Sequence, residues 1–113
     1  MEVTHQKTND IVILKVSGKL DSNTSPEFEA KLFSFINEGE KKILVDCERL
    51  DYISSAGLRV LLFAAKKLKP SGGIVALASL KEHIKEVFEI SGFNSIFNIY
   101  NSSDEAVKTM QQI

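Results

Sequence analysis

The sequence predicts a single α/β domain built on a mixed β-sheet with helices covering it, and three observations carry that prediction. Short apolar runs rich in β-branched residues alternate with stretches of helical spacing, the pattern of strands and crossover helices in a partly parallel sheet. The first two strand-like runs, residues 3–7 and 11–16, are separated only by Thr8-Asn9-Asp10, a turn-forming triplet that makes them a hairpin. The chain has 113 residues, the length of one domain, and its two prolines, Pro26 and Pro70, fall at element boundaries with no linker to divide residues 1–113.

Each element has its own justification. Residues 11–16 (Ile-Val-Ile-Leu-Lys-Val) form an apolar, β-branched run and read as a buried strand that Gly18 ends. Ser25 as N-cap, Pro26 at the first helical position and Glu27 near the positive end of the dipole start a helix. Phe28, Leu32, Phe35 and Ile36 give it one apolar face, Phe33 lies off that stripe, and Gly39 stops it. Residues 42–46 predict a short central strand, 48–53 a connection, and 55–69 a second helix with Leu58, Leu61, Leu62, Ala65 and Leu68 on one face. Lys66, Lys67 and Lys69 suit its negative end, and Pro70-Ser71-Gly72-Gly73 breaks it. Residues 74–80 begin as a strand. Residues 80–91 follow as a helix with Leu80, Ile84, Val87 and Phe88 aligned, Ser79 and Glu82 resembling a capping box, and Gly92 at its end. Residues 96–100 predict a last strand, and Ser102 or Ser103 caps a terminal helix, 104–112, with Ala106, Val107 and Met110 inward. The order is β-β-α-β-α-β-α-β-α, a hairpin whose second strand opens a regular β-α alternation with right-handed crossovers.

Composition excludes several functions. Hydrophobic residues make up 43% and charged residues 26%, which is ordinary for a folded soluble domain and argues against disorder. Fourteen Lys+Arg against fifteen Asp+Glu leave a net charge of -1, so no basic excess exists to neutralise a phosphate backbone and nucleic-acid binding is disfavoured. No apolar run approaches the roughly 20 residues of a membrane helix, and the polar start Met1-Glu2-Val3-Thr4-His5 has no signal-peptide core. The expectation is a cytoplasmic protein with no membrane insertion. Cys47 is the single cysteine, so no intramolecular disulfide forms; metal-ligand spacings are absent, and nothing in the sequence implies a cofactor. Following an apolar strand, Cys47 reads as a small core residue rather than a reactive thiol. His5 and His83 are isolated, and His83, between Lys81 and Lys85, reads as solvent-facing. No Gly-x-Ser-x-Gly elbow supports a hydrolase, and no enzyme activity is expected. The seven phenylalanines read as core, with Phe63 and Phe93 as the two that, if exposed, would mark a partner surface.

The segment richest in information runs from Asp46 through Ser54-Ser55-Ala56-Gly57-Leu58-Arg59. A strand ends, a short connection follows, and a helix starts at or beside two serines. A helix start presents unpaired N–H groups and a partial positive charge, which would stabilise a phosphate attached there. Gly57, lacking a Cβ, lets a partner approach the backbone. The alternative is that Ser54 or Ser55 only caps the first turn. Arg59, one residue beyond Leu58, either meets a partner's acidic group or the phosphate, or is a solvated helix charge. Asp21, Asp46 and Asp51 either form an acidic Mg²⁺ cluster of the receiver type or are solvated loop ends. The second reading is the better one, because the first two strands form a hairpin and no aspartate pair follows the first.

With these residues in view, the chain resembles the STAS domains, and among them the stand-alone bacterial anti-sigma factor antagonists. The resemblance rests on Asp46 followed by Tyr52-Ile53-Ser54-Ser55-Ala56-Gly57-Leu58, on Gly18-Lys19-Leu20-Asp21 before a polar stretch and a helix, and on the small-residue strand 74–79 leading into an Ile/Val/Phe-rich helix. It spans nearly the whole chain and implies a STAS-like fold. It also implies that Ser55 is the phosphoacceptor, with Ser54 as second choice, and that Asp21, Ser54, Ser55, Ala56, Gly57, Leu58 and Arg59 form the partner surface. Ser54 stands where many relatives have Asp, and Ala56 replaces a second hydroxyl found in some. The implied function is a binding switch: the unphosphorylated protein binds an anti-sigma factor that is also a serine kinase, phosphorylation releases it, and a PP2C-type phosphatase resets it. The Ser54 departure motivates an alternative, a non-phosphorylated STAS interaction module in a transporter-associated or stressosome-like complex.

Overall fold

The computed structural model describes residues 1–113. Its sheet holds five strands in sequential order: β1 (Glu2–Thr8), β2 (Ile11–Leu20), β3 (Lys42–Ile53), β4 (Ile74–Ala78) and β5 (Asn98–Tyr100). β1 runs antiparallel to β2, and every other neighbouring pair is parallel. Three helices, α1 (Ser25–Asn37), α2 (Ser55–Leu68) and α3 (Glu82–Ser91), connect successive parallel strands, and α4 (Ser103–Met110) follows β5. The mixed sheet and the β-β-α-β-α-β-α-β-α order are those the sequence predicts.

The strand order dictates the layers. Each crossover from β2 onward steps one strand in the same direction, so right-handed connections lay α1, α2 and α3 on one face. Val12, Leu14 and Val16 of β2, Ile43 and Val45 of β3, and Val75 and Leu77 of β4 point to that face, where Phe28, Leu32, Leu61, Ile84 and Phe88 close a core of 22 buried residues. The alternate residues Ile11, Ile13, Leu44, Ala76 and Ala78 point the other way and meet Ala106 and Met110 of α4. Strands buried on both faces read as continuous apolar runs rather than as alternation, which is why residues 11–14 and 43–45 carry no polar partner positions.

Two strands extend further than the sequence predicts. β2 passes through Gly18 to Leu20, and residues 48–53, expected as a connection, continue β3. The register explains both. Lys15 pairs with Asp46 but Ser17 with Arg49, and Gly18 pairs with Leu50 but Lys19 with Tyr52, so β3 carries one extra residue in each interval. Such bulges break the period of two: the inward residues Cys47, Leu50 and Ile53 are spaced by three and hide the strand. Gly18 sits at φ +89°, where a side chain is strained. Asp46, expected at a solvated loop end, therefore lies inside β3, 8% exposed, with Oδ1 accepting the Glu48 N–H at 3.1 Å.

Helix boundaries differ at two starts. Thr24, not Ser25, is the α1 N-cap, with Ser25 buried as its first residue. The Ser79–Glu82 capping box does not form, because Ser79 takes a left-handed φ of 60° and α3 starts two residues later, with extended Lys81 as its N-cap. Ser102 caps α4 as one of the two expected serines, accepting the Glu105 N–H at 3.1 Å. The inward face of α2 also includes Val60 and Ala64, while Leu62 and Ala65 are half-buried. Of the two phenylalanines singled out, Phe93 packs against the main core and Phe63 is exposed.

Phe28 anchors α1 with no exposed surface. Phe28→Ala is expected to lower the unfolding free energy by about 3–5 kcal/mol, read as a fall in the urea midpoint at constant slope. A loss below about 1 kcal/mol would show that the α1 contact is not a principal part of the core.

Candidate functional site

The serine segment lies at the carboxyl ends of two adjacent parallel strands. Leu20 and Ile53 are the last register pair of β2 and β3, and the ladder closes with the Ser54 N–H donating to the Leu20 carbonyl at 2.9 Å. The β2–α1 loop and the start of α2 therefore leave the sheet side by side, at the edge where open parallel sheets place their sites.

Asp21 builds the first of these loops. Its Oδ1 accepts the N–H groups of Asn23 (2.9 Å) and Thr24 (3.1 Å). Its own N–H donates to Thr24 Oγ1, which in turn donates to the Lys19 carbonyl. Ser25 Oγ donates to the Asp21 carbonyl at 2.5 Å. The backbone N–H of Thr24, then that of Asn23, holds the Asp21 carboxyl below the ordinary carboxylate value. Asp21 thus stays ionised at neutral pH beside the serine segment, with Oδ1 engaged in its own loop.

Ser54 and Ser55 have different tasks. Ser54 is the α2 N-cap, in extended conformation, with Oγ accepting the Gly57 N–H at 3.4 Å. Ser and Asp fill an N-cap about equally well, so the exchange of Asp for Ser at this position preserves the cap. Ser55 is the first residue of α2, exposed, and its hydroxyl makes no hydrogen bond within the chain. Ala56 beside it is half-buried and Arg59, one turn on, is exposed with no ion pair.

Gly57 and Leu58 do not belong to the exposed surface. Leu58 is 8% exposed and part of the main core. Gly57 is buried, and a Cβ built there would lie 2.8 Å from Leu20 Cγ and 2.9 Å from Ile53 Cγ1. The glycine admits the protein's own strand ends, not a partner: without a Cβ, α2 can seat its first turn on the terminal β2–β3 pair. Of the residues expected at a partner surface, Asp21, Ser54, Ser55, Ala56 and Arg59 remain accessible.

A latch on the neighbouring side has no signal in the sequence. Asp51, in the second bulge of β3, pairs with Lys81 at the start of α3, and His83 Nε2 lies 2.6 Å from the Asp51 carbonyl. Thirty or more residues separate the partners, so only the fold reveals the contact. His83 is exposed as expected, yet engaged at one nitrogen. Lys81 holds the Asp51 carboxyl below its ordinary value. Cys47 is buried, and burial, reinforced by the charge of Asp46, pushes its thiol up to about 12, which keeps it protonated as a core residue. No three His, Cys, Asp or Glu side chains converge, and no helix is long and apolar enough to cross a membrane.

A fold of five sequential strands, with a capped serine turn beside an Asp loop, defines a recognisable class. The STAS domain model matches residues 2–106, and the chain belongs to that family. BtrV of Bordetella bronchiseptica, a candidate anti-sigma factor antagonist, is 44% identical over 106 residues, covering 94% of this chain and 91% of its own length. The crystal structure of a candidate anti-sigma factor antagonist from Thermotoga maritima superposes with a TM-score of 0.93 at 27% identity, over 96% of this chain and 94% of that one. SpoIIAA, an anti-sigma factor antagonist, matches in its unphosphorylated form with a TM-score of 0.80 at 22% identity over 99% and 100% of the two chains. The phosphorylated form, from Bacillus, matches at 0.78 and 22% over 96% and 99%.

Two measurements test this geometry. Gly57→Ala is expected to cost about 1–3 kcal/mol of stability, because neither Leu20 nor Ile53 can retreat without disturbing the core; a neutral substitution in thermal or urea unfolding would show that the α2 seat is slack. Because the Asp51 carboxyl is lowered in the folded state, the latch contributes fully above the ordinary value of 3.8 and is lost as pH falls through the lowered one. Lys81→Ala should return the Asp51 midpoint toward 3.8 in a carboxyl-detected NMR titration, and an unchanged midpoint would assign the shift elsewhere.

Proposed function

We propose that this protein is a phosphorylation-controlled anti-sigma factor antagonist, with Ser55 as the acceptor. In this reading the unphosphorylated chain docks on an anti-sigma factor that is also a serine kinase, through the surface of Asp21, Ser54, Ser55, Ala56 and Arg59. The docked sigma-factor inhibitor is then unavailable to its sigma factor, and transcription follows. The kinase transfers a phosphoryl group to Ser55, the antagonist leaves, and a PP2C-type phosphatase restores it. The protein acts in the cytoplasm as a binding partner and substrate of these enzymes, without catalysing a reaction itself.

The observation that carries the reading is the division of labour between the serines. Ser54 Oγ is engaged as the N-cap, whereas the Ser55 hydroxyl is exposed, free, and at the first helical position. A phosphate there adds about -1.5 to -2 charge at the positive end of the helix dipole, which tolerates it. The fold therefore has no reason to change on modification. SpoIIAA, which shares the fold, has been solved in both phosphorylation states, in keeping with a switch that acts at the interface. In a close-packed interface the same charge meets desolvation and the ionised Asp21, and a penalty of about 1.4 kcal/mol already weakens binding tenfold.

Mass spectrometry of the protein from its native cells should find one phosphoryl group on the peptide carrying Ser55. Ser55→Ala should abolish labelling by the cognate kinase while keeping partner binding. Ser55→Asp should weaken binding by about tenfold or more. Continued labelling of Ser55→Ala, or labelling lost only in Ser54→Ala, would overturn the assignment. Recovery of transporter subunits without any kinase would favour the scaffold reading.

A further inference from the structure

Helix α2 has a second feature that the serine switch does not use. Its sequence from Ser55 to Leu68 contains no acidic residue, and Arg59, Lys66 and Lys67, followed by Lys69, give it four positive charges in a chain of net charge -1. All are exposed. The three ion pairs of the structure, Lys7–Glu40, Lys42–Asp10 and Lys81–Asp51, involve none of them. Between the C-terminal half of α2 and helix α1 runs an open groove of about 830 Å³. Phe63, 47% exposed, forms one wall, and half-buried Phe33 with the small residues Ala30 and Ser34 forms the other. Lys66 and Lys67 line the α2 side, and Glu29 is the one acid on the α1 side.

We propose that this α1–α2 groove is a protein-docking surface for an acidic amphipathic helix, independent of the phosphorylation state of Ser55. The apolar edge of the occupant fits over Ala30, Phe33 and Phe63, and its acidic edge lies along Lys66 and Lys67, the side that lacks internal partners. A helix in a groove meets such a surface through anchors one turn apart, and exposed aromatic residues such as Phe63 are of the kind enriched in protein interfaces. An anionic lipid surface fits less well, because Glu29 on the α1 rim would face it beside the two lysines. Phe63 lies eight residues beyond Ser55, about 12 Å along the helix at 1.5 Å per residue. Beyond a Debye length of about 8 Å, a phosphate on Ser55 is largely screened from it. The groove can therefore stay occupied when the switch end is released, and this inference stands or falls separately from the Ser55 assignment.

The test is a ¹⁵N NMR titration of the full chain with a synthetic helical peptide bearing leucines along one edge and glutamates along the other. Its counterpart with lysines for glutamates and vesicles of anionic phosphatidylglycerol are titrated in parallel. The acidic peptide should shift amides of α1 and α2 around Ala30, Phe33, Phe63 and Lys66. Phe63→Ala, half-exposed and outside the buried core, should weaken it about tenfold. The double variant Lys66→Glu with Lys67→Glu should reverse the preference toward the lysine peptide. Ser55→Asp should bind the acidic peptide as the unmodified protein does. Equal binding of both peptides, or of neither, would overturn the proposal. Shifts of the same amides by vesicles alone would assign the patch to a membrane surface, and concentration-dependent shifts without additive would assign it to self-association. Loss of peptide binding in Ser55→Asp would show that groove and switch are one site.

Discussion

The seat of α2 on the last pair of β2 and β3 is the contact on which the rest of the site depends. Leu20 and Ile53 end their strands in register, the Ser54 N–H closes the ladder on the Leu20 carbonyl, and both side chains fill the space that a Cβ on Gly57 would need. Any side chain at that position would lift the first turn of α2 away from the sheet. The seat also sets the exposure of its neighbours. With Gly57 and Leu58 turned inward, the helix period turns Ser55 and Arg59 outward, and Ser54 is left at the boundary where only a cap fits.

Two bulges bring β3 to that seat. A regular strand would send alternate residues to alternate faces, and the α1–α3 face would receive Cys47, Arg49 and Asp51. The extra residues shift the inward set to Cys47, Leu50 and Ile53, and free Asp51 to reach Lys81 across the start of α3. Bulges bend and twist a strand at a sheet's rim, and here β3 stays paired with β2 through both of them to Leu20 and Ile53, so that two loops far apart in sequence share one edge. Asp21 completes the arrangement from the other loop, where its backbone hydrogen bonds hold both its charge and its place.

Charge is distributed in the same spirit. The chain as a whole is nearly neutral, yet the charged residues of α2, Arg59, Lys66 and Lys67, are all basic and make no ion pair within the chain. Exposed ion pairs contribute little to stability, so leaving these cations unpaired costs the fold almost nothing and keeps a field of one sign on the helix that begins at Ser55. Charge arranged in this way steers encounter and selects partners more than it adds affinity.

The element order, the hairpin, the faces of α1 and α4 and the serine turn were legible in the amino-acid sequence, because each depends on local chemistry: β-branched runs, Pro26 at a helix start, Asn9 at a turn, apolar residues at helical spacing. The family resemblance was legible for the same reason, since Gly18 to Asp21 and Ser54 to Leu58 are contiguous motifs. What the sequence could not determine depends on pairing between distant segments. The true length of β3 follows from its register against β2, the burial of Asp46 from lying inside that strand, and the latch of Asp51 with Lys81 from the arrival of α3 beside the second bulge. Gly57 is the sharpest case. Its position before a helix-opening leucine reads as an open approach for a partner, and only the packed structure shows that Leu20 and Ile53 already occupy the space a Cβ would take. Ser54 and Ser55 are chemically identical in the sequence; the turn of α2 on its seat makes one a cap and leaves the other free.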